Sequence, residues 1–146
     1  MQAIGRQRGR FEWLSRIFNF RNRRTEQDVV DLDPLVVACQ EMGADKVGAL
    51  IIIKQDDDLN VVVESGIRLD AKLSTSLLEN IFFKNAPLHD GAVILRSGRI
   101  LSAGCVLPLT QNQNLSKDLG TRHRAGIGVS EVSDAISLIV SEESGI

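Results

Sequence analysis

Residues 91–109 read GAVILRSGRILSAGCVLPL, two apolar runs on either side of RSGR. Neither run is long enough for a free-standing helix, and their aliphatic residues suit a pleated, buried surface. Gly98 can take the positive φ that a tight turn demands, so the stretch predicts an antiparallel hairpin. Upstream, VGALIII (47–53) is a continuous apolar run rich in β-branched residues and predicts a central strand. KQDDDLN (54–60) supplies a turn and VVVES (61–65) a further strand, with Asp56, Asp57 and Asp58 in a solvated loop rather than a metal site.

Helical spacing appears in three places. Leu77, Leu78, Ile81 and Phe82 recur at that spacing after Ser74 or Thr75 as cap, and NAP (85–87) ends the run. Earlier, Thr25 can cap a segment in which Val29, Val30, Leu32, Leu35, Val36 and Cys39 follow the same period. Pro34 interrupts it: either a helix begins again with Asp33 as cap and Pro34 at the first position, or the helix kinks, and Gly43 offers a stop. After the polar loop TQNQNLSKDLG (110–120), TRHRAGIGVSEVSD (121–134) predicts a helix start and AISLIVSEE (135–143) a last strand. The expected fold is a mixed β-sheet flanked by helices, an α/β (α+β) arrangement in one globular domain. The chain ends just past that strand, at ESGI, with no further punctuation, as a truncated C-terminus would.

A length of 146 residues fits one core, with 43% hydrophobic and 25% charged residues. No apolar run approaches the length of a membrane span, so the chain itself is expected to be soluble. Cys39 and Cys105 stand in apolar surroundings without a CxxC or a Cys/His cluster, the pattern of reduced thiols in a core. The net charge of −2 conceals an asymmetry. Residues 1–24 carry seven arginines against one acid, Glu12, a net of +6, while the remainder holds ten bases and eighteen acids, a net of −8. Arginines interleaved with Phe11, Trp13, Leu14, Ile17, Phe18 and Phe20 suit an anionic membrane surface or a partner, and residues 25–146 form the domain proper. The acidic body speaks against nucleic acid as a ligand.

Three short motifs carry candidate chemistry. In HDGA, Gly91 and Ala92 let a ligand approach the backbone, Asp90 can hold a hard cation or accept a proton, and His89 can ligate or donate. The same tetrapeptide also reads as a plain turn capped by a carboxylate. In GTRHRAGIG, Arg122 and Arg124 flank His123, Thr121 adds a hydroxyl, and Gly120, Gly126 and Gly128 keep the backbone open, a combination suited to a polyphosphate at a helix start or, more plainly, to an exposed basic turn. In VSEESG, Glu142 and Glu143 follow the last strand, where they could complete a metal site with Asp90 or simply be solvated. P-loop, dinucleotide, GxSxG and HExxH signatures are absent. An acid beside a metal and paired arginines on a Gly-rich turn fit nucleotidyl transfer, which rests on positioning and charge neutralisation.

HDGAVIL, GTRHRAGIG and SEESG, in this order and at these separations, closely resemble the diadenylate cyclase family, and the similarity runs from about residue 28 to the end. The arm IGRQRGRFEWLSRIF (4–18) also resembles the linker that follows the transmembrane helices in the membrane-anchored CdaA-type branch. The resemblance implies condensation of two ATP molecules into cyclic di-AMP with release of pyrophosphate, across a face-to-face homodimer. It implies a divalent metal, Mg²⁺ or Mn²⁺ with Co²⁺ also suitable, and anchorage at the cytoplasmic face of the cell membrane through helices absent here. On matching positions, Asp90, Gly91 and Ala92 would form the catalytic motif, with Asp90 holding the metal beside His89 and Glu143. Thr121, Arg122, His123 and Arg124 would hold the triphosphate, with Ser141 and Glu142 near it. The Leu107 backbone would read the adenine edge; Val106 stands where this branch commonly has an aromatic residue. The competing expectation is a module that binds ATP or a cyclic dinucleotide and performs no chemistry.

Overall fold

The computed structural model describes residues 31–112 and 120–142. The predicted hairpin is present as β3 (Ala92–Arg96) and β4 (Arg99–Cys105), paired antiparallel with Arg96 opposite Arg99. Ser97 (φ 52°) and Gly98 (φ 77°) form a two-residue turn with positive φ at both positions, the form whose twist matches that of the strands. The run at 47–53 supplies β1 (Ala49–Ile53), which pairs parallel to β3 and antiparallel to β5 (Ile136–Val140). With β2 (Ile67–Lys72) on β4, the five strands stand in the order β2-β4-β3-β1-β5, a mixed sheet as expected.

Alternation along the central strands divides the core into two layers. Ala49, Ile51, Val93 and Leu95 point to one face, where they pack with α1 (Asp33–Ala44) and α3 (Thr75–Phe82) through Leu35, Cys39, Leu78 and Phe82. Leu50, Ile52, Ala92 and Ile94 point to the other, against α2 (Asn60–Ser65) and α4 (Thr121–Val132) through Val63, Ala125 and Val129. A strand buried on both faces has no polar side to show, which explains the unbroken apolar run at β1.

Three local expectations are corrected. VVVES is not a strand but α2: Val63 N–H bonds to the Leu59 carbonyl, and Asp58 Oδ1 takes the Asn60 N–H at 2.8 Å. One inward residue, Val63, is buried against the sheet while Val61 is 87% exposed, so tertiary packing overrides the β preference of a valine run. No element is expected between 66 and 73 from the sequence, yet β2 lies there as an edge strand, its Leu69 and Ala71 half-buried and its Arg68, Asp70 and Lys72 exposed. Gly43 does not stop α1; it is buried within the last turn, and the helix runs to Ala44.

The alternatives at Pro34 resolve to a helix beginning there. Pro34 lies in the first turn of α1, and the cap is shifted by one residue: Leu32 occupies the cap position while Asp31 Oδ1 takes the Asp33 N–H at 2.9 Å. Ser74 caps α3 by accepting the Leu77 N–H at 3.0 Å, and Thr75 Oγ1 donates to the Pro34 carbonyl at 2.8 Å, fastening the two helices. The aspartate loop is tied down by reciprocal bonds: the Asp134 carboxylate accepts the Asp56 and Asp57 N–H groups, and Asp57 accepts the Asp134 N–H. Both cysteines are free and buried. The arm and the predicted cap at Thr25 lie outside the described residues.

Candidate active site

Sheet register decides where the motifs meet. Ile51 of β1 stands beside Val93 of β3, so continuing both strands backwards brings Gly48 level with Asp90. Ala49 pairs with Val140, and Ala92 with Cys105. The starts of β1 and β3 and the ends of β4 and β5 therefore share one end of the sheet, and residues some fifty positions apart converge there. A cleft of about 760 Å³ opens at this end. Its lining includes Asp90, Gly91, Ala92, Leu107, Thr121, Arg122, His123, Ser141 and Glu142.

The phosphate-motif side is built on the start of α4. Gly120 occupies the cap position and no side chain among the described residues caps the helix, which leaves its first backbone N–H groups suited to an anion. Arg122 lies over that turn with its side chain only 22% exposed. Its Nη1 is 3.9 Å from Glu142 Oε1, a loose pair, and its Nε is buried with no hydrogen-bond partner among the described residues. A buried guanidinium N–H without an acceptor costs free energy that an incoming oxyanion would recover. Arg124 does not line the cleft; it is half-buried on the helix, and its carbonyl accepts the Thr110 N–H at 3.1 Å.

On the opposite side, the Asp90 side chain is 84% exposed at the rim. His89 stands behind it, with Nε2 3.1 Å from Asp90 Oδ1 and Nδ1 2.6 Å from the Ala86 carbonyl. The Ala86 contact orients the ring and directs Nε2 toward the carboxylate. Ala92 is fully buried at the base of the cleft. Glu143 lies outside the described residues.

The glycines of these motifs do work other than keeping space for a ligand. A Cβ on Gly91 would overlap the backbone of Gly104, whose φ of +67° marks an irregular stretch of β4. A Cβ on Gly128 would overlap the Pro108 carbonyl oxygen, and one on Gly126 would come within 2.9 Å of the Ile139 side chain. Gly126 and Gly128 thus seat α4 on β5 and on the chain after β4, while Gly120, with open space around it, stands at the start of the helix. Of the cleft residues not expected from sequence, Leu50, Leu88 and Leu109 add apolar wall. Cys105 also lines it, its thiol pKa raised by burial and partly offset by a hydrogen bond with Ser102. Only position after or before a strand end could have marked these residues in the sequence.

Fold and cleft define an α/β domain in which the start of α4, with Arg122 on it, shares a ligand-sized space with the Asp90 carboxylate. The chain belongs to the DAC family: the model described as "DisA bacterial checkpoint controller nucleotide-binding" matches residues 36–146. It is 47% identical over 114 residues to the cyclic di-AMP synthase CdaA of Bacillus subtilis (strain 168), covering 78% of this chain and 42% of that protein. It is 48% identical over the same length to a diadenylate cyclase of Listeria monocytogenes serotype 1/2a (strain 10403S), again covering 78% and 42%. The chain thus spans about two fifths of the length of these curated relatives. Among solved structures, DacA from Staphylococcus aureus superposes with a TM-score of 0.76 at 45% identity, covering 78% of this chain and 76% of that one. A hypothetical membrane spanning protein from Bacillus cereus gives 0.76 at 44% identity, covering 80% and 57%. Among the described residues no helix is long and apolar enough to cross a membrane.

Proposed function

We propose that this domain is the catalytic part of a diadenylate cyclase, joining two ATP molecules into cyclic di-AMP with release of two pyrophosphates. The observation that carries the proposal is the buried Nε of Arg122, without a partner among the described residues, at a helix start that shares one cleft with Asp90. Family membership and relatives named diadenylate cyclase support it.

In this reading each ribose 3′-oxygen attacks the α-phosphorus of the other ATP. Two 3′-O–P bonds form, two bonds to pyrophosphate break, and the two hydroxyl protons leave. Arg122 and the α4 amides hold the triphosphate and take up charge passing to the leaving group, the role preorganised donors play best. Thr121 and His123 flank that position, Arg124 supports it from the helix, and Ser141 with Glu142 lies near the phosphates beside Arg122. Asp90 sits where the ribose hydroxyl would be prepared, and the Leu107 backbone borders the base.

The donors fit a divalent cation carried on the nucleotide. Asp90 offers an exposed carboxylate with His89 Nε2 beside it, and Mg²⁺ or Mn²⁺ is commonly held by one or two carboxylates completed by phosphate oxygens and water. Among the described residues no set of three or more His, Cys, Asp or Glu side chains forms a cage by itself. We assign Asp90, His89 and Glu143 to the metal, with Co²⁺ a further candidate; when bound it supplies a lowered hydroxyl pKa and charge neutralisation. Each ATP must be nucleophile to the other, so the active form is a homodimer with clefts facing. In the whole protein the basic arm 1–24 would join this domain to membrane helices and place it at the cytoplasmic face.

Chromatography of the products formed from ATP with each metal tests the assignment. The chain is expected to yield cyclic di-AMP, and Asp90→Asn to bind ATP but form at least about a hundredfold less product, the scale of an acid/base contribution. Metal-independent ATP binding that Asp90→Asn leaves untouched, with no dinucleotide formed, would instead show a binding module.

A further inference from the structure

Gly48, just before β1, stands outside every motif that carries the resemblance. Its backbone is not in the positive-φ region, where among the described residues only Gly98 and Gly104 lie among the glycines. Conformation therefore does not require glycine here; space does. A Cβ at Gly48 would lie 2.5 Å from Arg122 Nη1, 2.7 Å from Cζ and 3.2 Å from Nε, so the guanidinium packs on the bare Cα of this residue. The three nearest atoms are all in that one group, and none belongs to the backbone or to the core.

From this packing we propose that Gly48 is a positioning residue for phosphate binding: its missing side chain fixes the Arg122 fork toward the cleft. The inference rests on the functional reading above for its ligand, but the placement itself does not. Gly48 is level with Asp90 by strand register, and Ala49 pairs with Val140 just before Ser141 and Glu142. Gly48 thus sets Arg122 relative to both carboxylate sides of the site. Because the group displaced by a methyl is the far end of a flexible side chain, Gly48→Ala should cost the site more than the fold. A small displacement of a binding group can cost orders of magnitude in a positioned reaction.

The test is a double-mutant cycle on ATP affinity combined with proton–nitrogen NMR of the arginine Nε–H. Gly48→Ala is expected to unfold near the wild-type temperature and to bind ATP about tenfold more weakly, a change of about 1.4 kcal/mol. Adding it to Arg122→Ala should change ATP affinity less than twofold, whereas a general structural role would persist in that background. In the wild-type spectrum the Arg122 Nε–H, assigned by its loss in Arg122→Lys, should be resolved and slow to exchange, and Gly48→Ala should move it into the exposed-arginine envelope. The NMR arm needs no ATP, so a wild-type chain that fails to bind ATP sinks the functional reading while this arm still decides the placement. An unchanged Nε–H signal in Gly48→Ala, or additive losses in the cycle, overturns the proposal. If Gly48→Ala does not fold, the proposal requires Gly48→Ala/Arg122→Ala to fold, since the overlap is then gone; failure of that double variant overturns it as well.

Discussion

Arg122 shows how one side chain can be stable in a fold and still incomplete. Its side chain is mostly buried, its Nη1 has a distant carboxylate, and its Nε has no acceptor among the described residues. Arg122→Lys keeps the charge but loses the fork, so ATP affinity should fall about tenfold or more in equilibrium binding. Stability should change little in thermal unfolding, because the lost group has no buried partner to strand. Cys39 gives the opposite case: burial pushes its thiol pKa up to about 12, so almost no thiolate exists at neutral pH. It should resist thiol reagents in the folded chain and react at the rate of unfolding, which spectrophotometric thiol titration measures. At this scale the sequence singled out Asp90, Thr121, Arg122 and Glu142, which all line the one cleft, because polar and charged groups clustered at strand and helix ends are conspicuous. Gly48 stayed hidden, since its purpose appears only when Arg122 is laid against it.

Elements are positioned here by close backbone approach as much as by apolar burial. α4 reaches Pro108 only because Gly128 has no Cβ, and overlap there is with backbone, which cannot swing aside. Gly128→Ala is therefore expected to destabilise the domain by about 1–3 kcal/mol, read from denaturant unfolding, and to weaken nucleotide binding by shifting the helix start. Between α1 and α3 the Glu79 carboxyl has its pKa raised, first by a hydrogen bond with Glu41 and further by desolvation and the charges of Glu41 and Asp45. A group whose folded pKa is raised contributes stability below its unfolded pKa and loses it as pH rises through the folded value. Glu79→Gln should thus remove a decline in stability on the alkaline side of the ordinary glutamate range, visible as a flatter melting temperature against pH. Periodicity made β1, α3 and the hairpin legible, because their apolar residues alone determine burial. It misled at α2, where three valines suggest a strand but only Val63 meets the sheet, and it overlooked β2, whose alternation is carried by half-buried Leu69 and Ala71.

For the whole molecule, the architecture gathers the motif residues at an open end of the sheet. The cleft lies at the amino ends of the parallel pair β1 and β3, with the uncapped start of α4 beside it. Sequence could indicate a mixed sheet between helices, since strand-like and helical periods both occur along one chain of single-domain length. It could not supply strand order, which brings β5 beside β1 and so Glu142 to Arg122. An exposed Asp90 on one rim and the proposed phosphate grip on the other suit a reaction completed by a second molecule facing the first. If cyclic di-AMP is made across two clefts, as proposed, rate becomes a function of protein concentration. The most direct measurement is product formation from saturating ATP and Mn²⁺ or Mg²⁺ over a protein dilution series, followed by chromatography. Cyclic di-AMP should appear with one pyrophosphate per ATP consumed, at a rate per protomer that climbs with protein concentration and then levels off. A folded, ATP-binding chain that makes no dinucleotide at any concentration, or makes it at a rate per protomer independent of dilution down to the monomer, would contradict this account.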